Sequence, residues 1–429
     1  MKSSGLLNTP HIKNAKDKFF FNLPFWISAC LVALISVAYT QLFRLCEEWS
    51  LSQASSVWIY ATAPLGLLLS FLVGHFFSPS AQGSGIPQVI ASIEAASDKN
   101  SSLLPKLLNI PMIPFKIFGS CLSILGGGAS GREGPTLQIS AAVFYQVSRF
   151  WPKQFPRAPL NSMILAGGAA GLASAFNTPL GGVVFAVEEL SKSHISLVRT
   201  GVFQAVICAG VLAQIFLGNY LYLGESSFNH ISYTILGYTV LFAALIGLAG
   251  GLFAEGLYKV TSWRKTKSFS IKLLATLLCG ALLSLTIWLC GPQTVGAGKH
   301  VIIDLLNHPQ DSGSLLLPVA RIAGSFFTYV SGVIGGIFAP SLASGAALGH
   351  WLSHLFGVTQ IKVMITIGMV AFLTGVTRSP FTSFVLVLEM SNSHEIILFL
   401  MLSSIIANVA ARIVSTQSFY EKASHSWQS

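Results

Sequence analysis

Two carboxylates and three glycine–proline breaks carry the chemistry this sequence offers. Glu133 sits between glycines in Gly131-Arg132-Glu133-Gly134-Pro135, and Glu189 follows Glu188 at the end of an apolar run. An ionisable side chain inside apolar membrane sequence is a functional candidate by default. The other two breaks are Gly83-Ser84-Gly85-Ile86-Pro87 and Gly336-Ile337-Phe338-Ala339-Pro340. Proline suits the first turn of a helix, where its missing N–H would be unpaired anyway. The glycines before it allow a tight turn and leave the amides bare. A helix N-terminus carries about half a positive charge. Several converging on one point would hold a small anion without a full cation, loosely enough to release it. One such break is an ordinary kink, but three, each ahead of an apolar half-helix, argue for a site. A carboxylate at Glu133 would compete with any anion drawn to the same amides.

Other patterns have plainer readings. Glu188 and Glu189 also suit a helix end reaching water or an arginine partner. Gly126 to Gly131 satisfies GxGxxG but follows an apolar half-helix instead of a strand, so it is no dinucleotide fingerprint. Gly128-Ala129-Ser130-Gly131 fits the GxSG of intramembrane serine proteases, with His350 or His354 as the base. That rival enzyme reading leaves the other breaks unexplained. His350 and His354 are spaced i, i+4 without the acid of a zinc motif and read as interfacial histidines. Gly298-Lys299-His300 lacks the first glycine and the Ser/Thr of a P-loop. The six cysteines are scattered, with no metal or disulfide spacing. Asn100-Ser101-Ser102 is formally a glycosylation sequon and decides nothing. No metal site, cofactor or nucleic-acid partner is expected.

The elements that must position these groups are membrane helices. Of 429 residues, 52% are hydrophobic and only 9% charged, against roughly a quarter charged in soluble domains. Apolar runs near 19–45, 56–77, 199–218, 235–258, 270–290 and 395–414 meet the roughly 20 residues a bilayer requires. Between them lie half-length runs cut by Gly and Pro: 113–125, 136–149, 160–176, 180–190, 338–352, 361–377 and 381–390. Half-spans survive only where freed backbone lines an enclosed or watery cavity, and they point to a transporter site. The chain also repeats itself. Pro179 precedes Glu188 by the nine positions that separate Pro380 from Glu389, and Pro135 and Pro340 stand upstream in matching order. Two units of about 190 residues are implied, either parallel or inverted.

Together GSGIP, GREGP, GGIFAP and the late Tyr420 resemble the CLC family of chloride channels and proton-coupled chloride antiporters, over about residues 20–422. That resemblance implies an all-α polytopic membrane fold built of two inverted repeats of tilted, partly broken helices, in a homodimer with one pore per subunit. It divides the chain into an N-terminal segment (1–18), a transmembrane domain (19–422) with repeats near 19–218 and 235–422, and a tail (423–429). Chloride would lie against Ser84, Gly85, Ile86, Ile337, Phe338 and Tyr420. Glu133 matches the external gating glutamate, and Glu189 the internal proton-transfer glutamate of the antiporters. Ser84 is the residue that nitrate-preferring members replace with Pro. The sequence departs from the family at Ser418-Phe419, where a Pro two positions before the tyrosine is common. The expected activity is electrogenic H+/Cl− exchange, with a passive gated channel as the alternative. The short tail points to a prokaryotic type in the inner membrane. Lys2, Lys13, Lys16 and Lys18 before the first span, and the basic loop Lys259 to Lys272, place both termini in the cytoplasm.

Overall fold

Backbone amides in lipid must be satisfied within their own segment, so the apolar runs have one stable option and take it. The computed structural model describes residues 15–97, 102–191, 200–218, 221–224, 234–392 and 394–428. The first half holds α1 (Ala15–Gln53), α2 (Ile59–Phe76), α3 (Ile86–Ser97), the single turn α4 (Leu104–Leu107), α5 (Met112–Leu125), α6 (Glu133–Phe150), α7 (Leu160–Phe176), α8 (Pro179–Phe185) and α9 (Thr200–Leu217). The second holds α10 (Ile235–Lys265), α11 (Phe269–Cys290), α12 (Lys299–Asn307), α13 (Leu316–Val330), α14 (Phe338–Leu355), α15 (Ile361–Thr377), α16 (Pro380–Ser391) and α17 (Ile397–Arg412), and α18 (Phe419–Gln428) closes the chain. The helix carrying Tyr420 runs on to Gln428, so the expected boundary at 422 falls inside it. Lys2, Lys13, Lys192, Arg199 and the Asn100-Ser101 pair lie outside the described residues.

The half-length helices form the interior. Nearly every residue of α7 and α15 is buried, the pattern of helices apolar on all faces. The longer helices surround them and turn side chains such as Leu45, Leu252, Leu274 and Val409 outward. α14 and α15 cross at backbone contact: a Cβ on Gly345 would lie 2.2 Å from the Gly368 carbonyl oxygen. Such close approach of small residues is how helices associate without help from water.

The break after α7 recurs after α15. Asn177 (φ 59°) and Arg378 (φ 57°) each end their helix in the left-handed conformation, and Pro179 and Pro380 start the next. This is the usual stop followed by a proline start. α8 and α16 then pack side by side, with the first turn of each against the last turn of the other. Equivalent helices running antiparallel are related by an axis perpendicular to them, so the repeats are inverted.

Candidate functional site

The three glycine-rich breaks meet and are stitched by backbone hydrogen bonds. Gly131 and Gly336 exchange N–H···O bonds of 2.8 Å in both directions. Gly83 N–H donates to Val333 O at 3.0 Å, and its own carbonyl accepts from Gly335 N–H at 3.2 Å. Lys116 fixes the first break from α5, its Nζ donating to Ala81 O at 2.8 Å and Gly83 O at 2.9 Å. Gly85 adopts φ +105°, and a Cβ there would lie 2.8 Å from Gly134 O. Only glycine meets both demands. The starts of α3, α6 and α14 are thus held together by sequence segments some 50 and 200 residues apart in the chain.

Ser84 and Tyr420 bring their hydroxyls to this point. Both side chains are buried, at 1% and 0% exposure. The hydroxyls face one another, yet neither finds a hydrogen-bond partner among the described residues. A buried hydroxyl left unpaired costs free energy, so the pair is poised to accept a ligand. Ser84 Oγ lies over Gly134, where a Cβ would fall 2.2 Å away. Ile337 and Phe338 stand at the start of α14, whose first amides have no partner within the helix. The Phe338 ring is held by Phe176, with centroids 5.4 Å apart. Gly85 and Ile86 occupy the corresponding place at the start of α3.

Glu133 is 1% exposed, and its carboxylate folds back over Gly131. Oε2 finds no hydrogen-bond partner among the described residues, and Ala339, in the first turn of α14, stands beside the same glycine. The carboxylate therefore lies next to the helix start at which the other groups converge. The guanidinium of Arg132, adjacent in sequence, donates to Thr40 O and Ala175 O, both at 3.3 Å.

Two cavities approach this point. One, of about 220 Å³, is lined by Glu133 with Arg44, Glu47, Arg132 and Lys299. The other, of about 140 Å³, is lined by Ser84 with Arg264, Lys265, Lys272 and Tyr329. Phe71 and His75 of the last turns of α2 also line the Ser84 cavity.

Glu189 lies on a π-type turn, Ala186–Leu190, that continues α8; such turns often mark functional positions. It is 1% exposed and accepts hydrogen bonds from Ser379 Oγ and, at 3.2 Å, from Ser418 Oγ. Ser418 also receives the Glu421 N–H at 3.0 Å, so one hydroxyl caps the helix of Tyr420 and holds Glu189. Glu188 accepts hydrogen bonds at the start of α16. Sequence reasoning missed Ser379 and Ser418, for which nothing local signals a partner. It also missed Lys116, a lone cation in an apolar half-span, which is itself a signal.

The discounted patterns find structural homes. Ser130 Oγ lies 3.4 Å from Ser123 Oγ and packs against Gly335. His350 and His354 instead share Pro309 O, each at 3.2 Å. Among the described residues, no three His, Cys, Asp or Glu side chains gather in a metal-binding group.

Comparison with known proteins agrees with the fold. The profile of the voltage gated chloride channel family matches residues 65–412. The chain is 30% identical to the H(+)/Cl(-) exchange transporter ClcA of Vibrio cholerae serotype O1, over 96% of this chain and 91% of that one. It is 31% identical to ClcA of Vibrio vulnificus, over 88% and 82%. Among solved structures, a slow cyanobacterial Cl−/H+ antiporter superposes with a TM-score of 0.78 at 24% identity, covering 93% of this chain and 95% of the other. A CLC-type fluoride/proton antiporter also gives 0.78, at 19% identity and 95% and 98% coverage.

Proposed function

The chain belongs to the voltage gated chloride channel family, and we propose that it is an electrogenic H+/Cl− exchange transporter. One observation carries this reading: the buried Glu133 carboxylate folds over Gly131 beside Ala339, at the start of α14, where a transported anion would bind. A tethered carboxylate and a free chloride compete for that place. Protonation removes the charge that holds Glu133 there, so loading a proton and admitting an anion become a single event. Ser84 and Tyr420 supply hydroxyls to the ion, and Gly85, Ile86, Ile337 and Phe338 supply amides. Glu189, buried and held by two serines, takes the proton from the other side. The exchange activity in the names of the Vibrio relatives supports the same reading.

Orientation follows from charge. Lys265 and Lys272 line the Ser84 cavity, so the positive-inside rule makes that face cytoplasmic and the Glu133 cavity external. Glu47, near the end of α1, lines the external cavity, which leaves the start of α1 in the cytoplasm. Trp427, near the end of α18, lines the Ser84 cavity, so the C-terminus is cytoplasmic too. The inner membrane of a prokaryote and a homodimer with one pore per subunit complete the reading. The short helices α8 and α16 present Leu180 and Phe381 outward, 65% and 58% exposed, as a face for a second copy.

The test is purified protein in chloride-loaded liposomes, with chloride and proton flux read together. An outward chloride gradient should drive protons inward against their own gradient. Chloride flux with no coupled proton movement would make the protein a passive channel.

A further inference from the structure

Arg264 differs from the other buried arginines. Arg321 donates from both terminal nitrogens to the carbonyls of Gln293, Thr294, Val295 and Gly296, and only its Nε lacks a partner among the described residues. Arg378 is satisfied by Ser415, Gly375 and Ala411 carbonyls. Arg264, at 6% exposure, is positioned and left unpaired. Its guanidinium stacks 4.7 Å over the Phe71 ring, and Nη2 donates to Thr276 Oγ1 at 2.7 Å. Thr276 is itself anchored to Ser331 O at 2.9 Å. Nη1 is buried without any hydrogen-bond partner among the described residues. Gly332, at φ +83°, makes the room: a Cβ there would lie 2.7 Å from Nε.

The surroundings supply no counter-charge. Arg264 lines the 140 Å³ cavity with Ser84, Lys265, Lys272 and Tyr329, and no carboxylate is among the described residues around it. A buried, unpaired cation is expensive, and a donor aimed at nothing adds to that cost. A planar guanidinium with one free edge is suited to an anion. The cavity has space for one, since a water-sized body needs about 30 Å³.

We infer that Arg264 Nη1 holds a small monovalent anion in this cavity and passes it to Ser84. The site stands on the unpaired Nη1; that its ion is transported chloride rests on the function proposed above. The experiment uses crystals of the full chain grown with bromide in place of chloride. An anomalous peak within hydrogen-bond distance of Nη1 is expected in the wild type. Arg264→Gln should lose that peak and keep the one at Ser84 and Tyr420. In liposomes the half-saturating chloride on the basic-loop side should rise about tenfold, the size of one lost charge-assisted hydrogen bond, and Arg264→Lys should recover part of it. A wild-type map with bromide at Ser84 and Tyr420 but none at Arg264 overturns the proposal. A peak whose loss leaves half-saturation unchanged means an adventitious ion only, and overturns it too. Bromide at Arg264 with none at Ser84 and Tyr420 upholds this site and counts against the transport reading instead. If Arg264→Gln cannot be purified, the wild-type map decides alone.

Discussion

Glu188 and Glu389 cap each other's helices. Glu188 accepts the N–H groups of Phe381 (3.1 Å) and Thr382 (2.6 Å) at the start of α16, and the Thr382 hydroxyl at 2.8 Å. Glu389, on α16, accepts those of Leu180 (3.2 Å) and Gly181 (2.8 Å) at the start of α8. Each carboxylate meets the positive end of the partner helix, where amides would otherwise be unpaired. The nine-residue spacing from Pro to Glu, seen twice in the sequence, is the length that lets each helix reach the other's first turn.

Reciprocal geometry predicts reciprocal cost. Glu188→Ala and Glu389→Ala should each destabilise the protein by about 1–2 kcal/mol, the usual value of a lost cap. Thermal denaturation in detergent would measure this, and similar losses are expected for both. A loss at one position only would show that the symmetry is geometric and not energetic.

At the gate, acidification should raise chloride flux, because protonation removes the charge that holds Glu133 beside the start of α14. Glu133→Gln has the shape of the protonated acid and cannot carry a proton. Its chloride flux should therefore be insensitive to pH and its proton flux absent. A mutant that still drove protons against their gradient would remove Glu133 from that role.

Selectivity is expected to rest on Ser84. Ser84→Pro removes one hydroxyl donor worth about 1.5–3 kcal/mol to a charged ligand. Nitrate flux should rise relative to chloride, and unchanged relative fluxes would mean that Ser84 does not touch the ion.

Gly134→Ala tests the same hydroxyl without replacing it. The added methyl would lie 2.2 Å from Ser84 Oγ and 2.7 Å from Ser84 O, so the serine has to move. Chloride affinity by calorimetry should fall at least tenfold, a loss of about 1.4 kcal/mol or more. Wild-type affinity in this variant would argue against the Ser84 site.

Proton transfer from the cytoplasmic side depends on Glu189 in this reading. Glu189→Ala should keep chloride flux and lose proton flux, since the anion path does not use that carboxylate. Ser379 and Ser418 hold that carboxylate in place by hydrogen bonds, so Ser379→Ala with Ser418→Ala should slow proton flux more than chloride flux. Equal slowing of both ions would make the serines purely structural.

The sequence by itself determined the membrane class, the long spans, the Gly/Pro half-spans and the twofold repeat. These follow from local rules: a bilayer demands about 20 apolar residues, and Pro and Gly interrupt helices wherever they fall. The same rules marked Glu133 and Ser84, because each sits inside a break. Short helices such as α3, α12 and α18 were not legible, since their residues lack a long apolar run. The Pro-to-Glu spacing left the repeats parallel or inverted; the family resemblance implied inversion, and the tertiary structure displays it where Glu188 finds Phe381 and Thr382 across about 190 residues of chain. Tertiary structure alone set Arg132 on Thr40 and Ala175, joined Ser418 to Glu189, and left Arg264 Nη1 without a hydrogen-bond partner among the described residues. Each of these is a contact between segments distant in sequence, and residue type and spacing say only what a side chain can bond, never which distant group packing will bring to it.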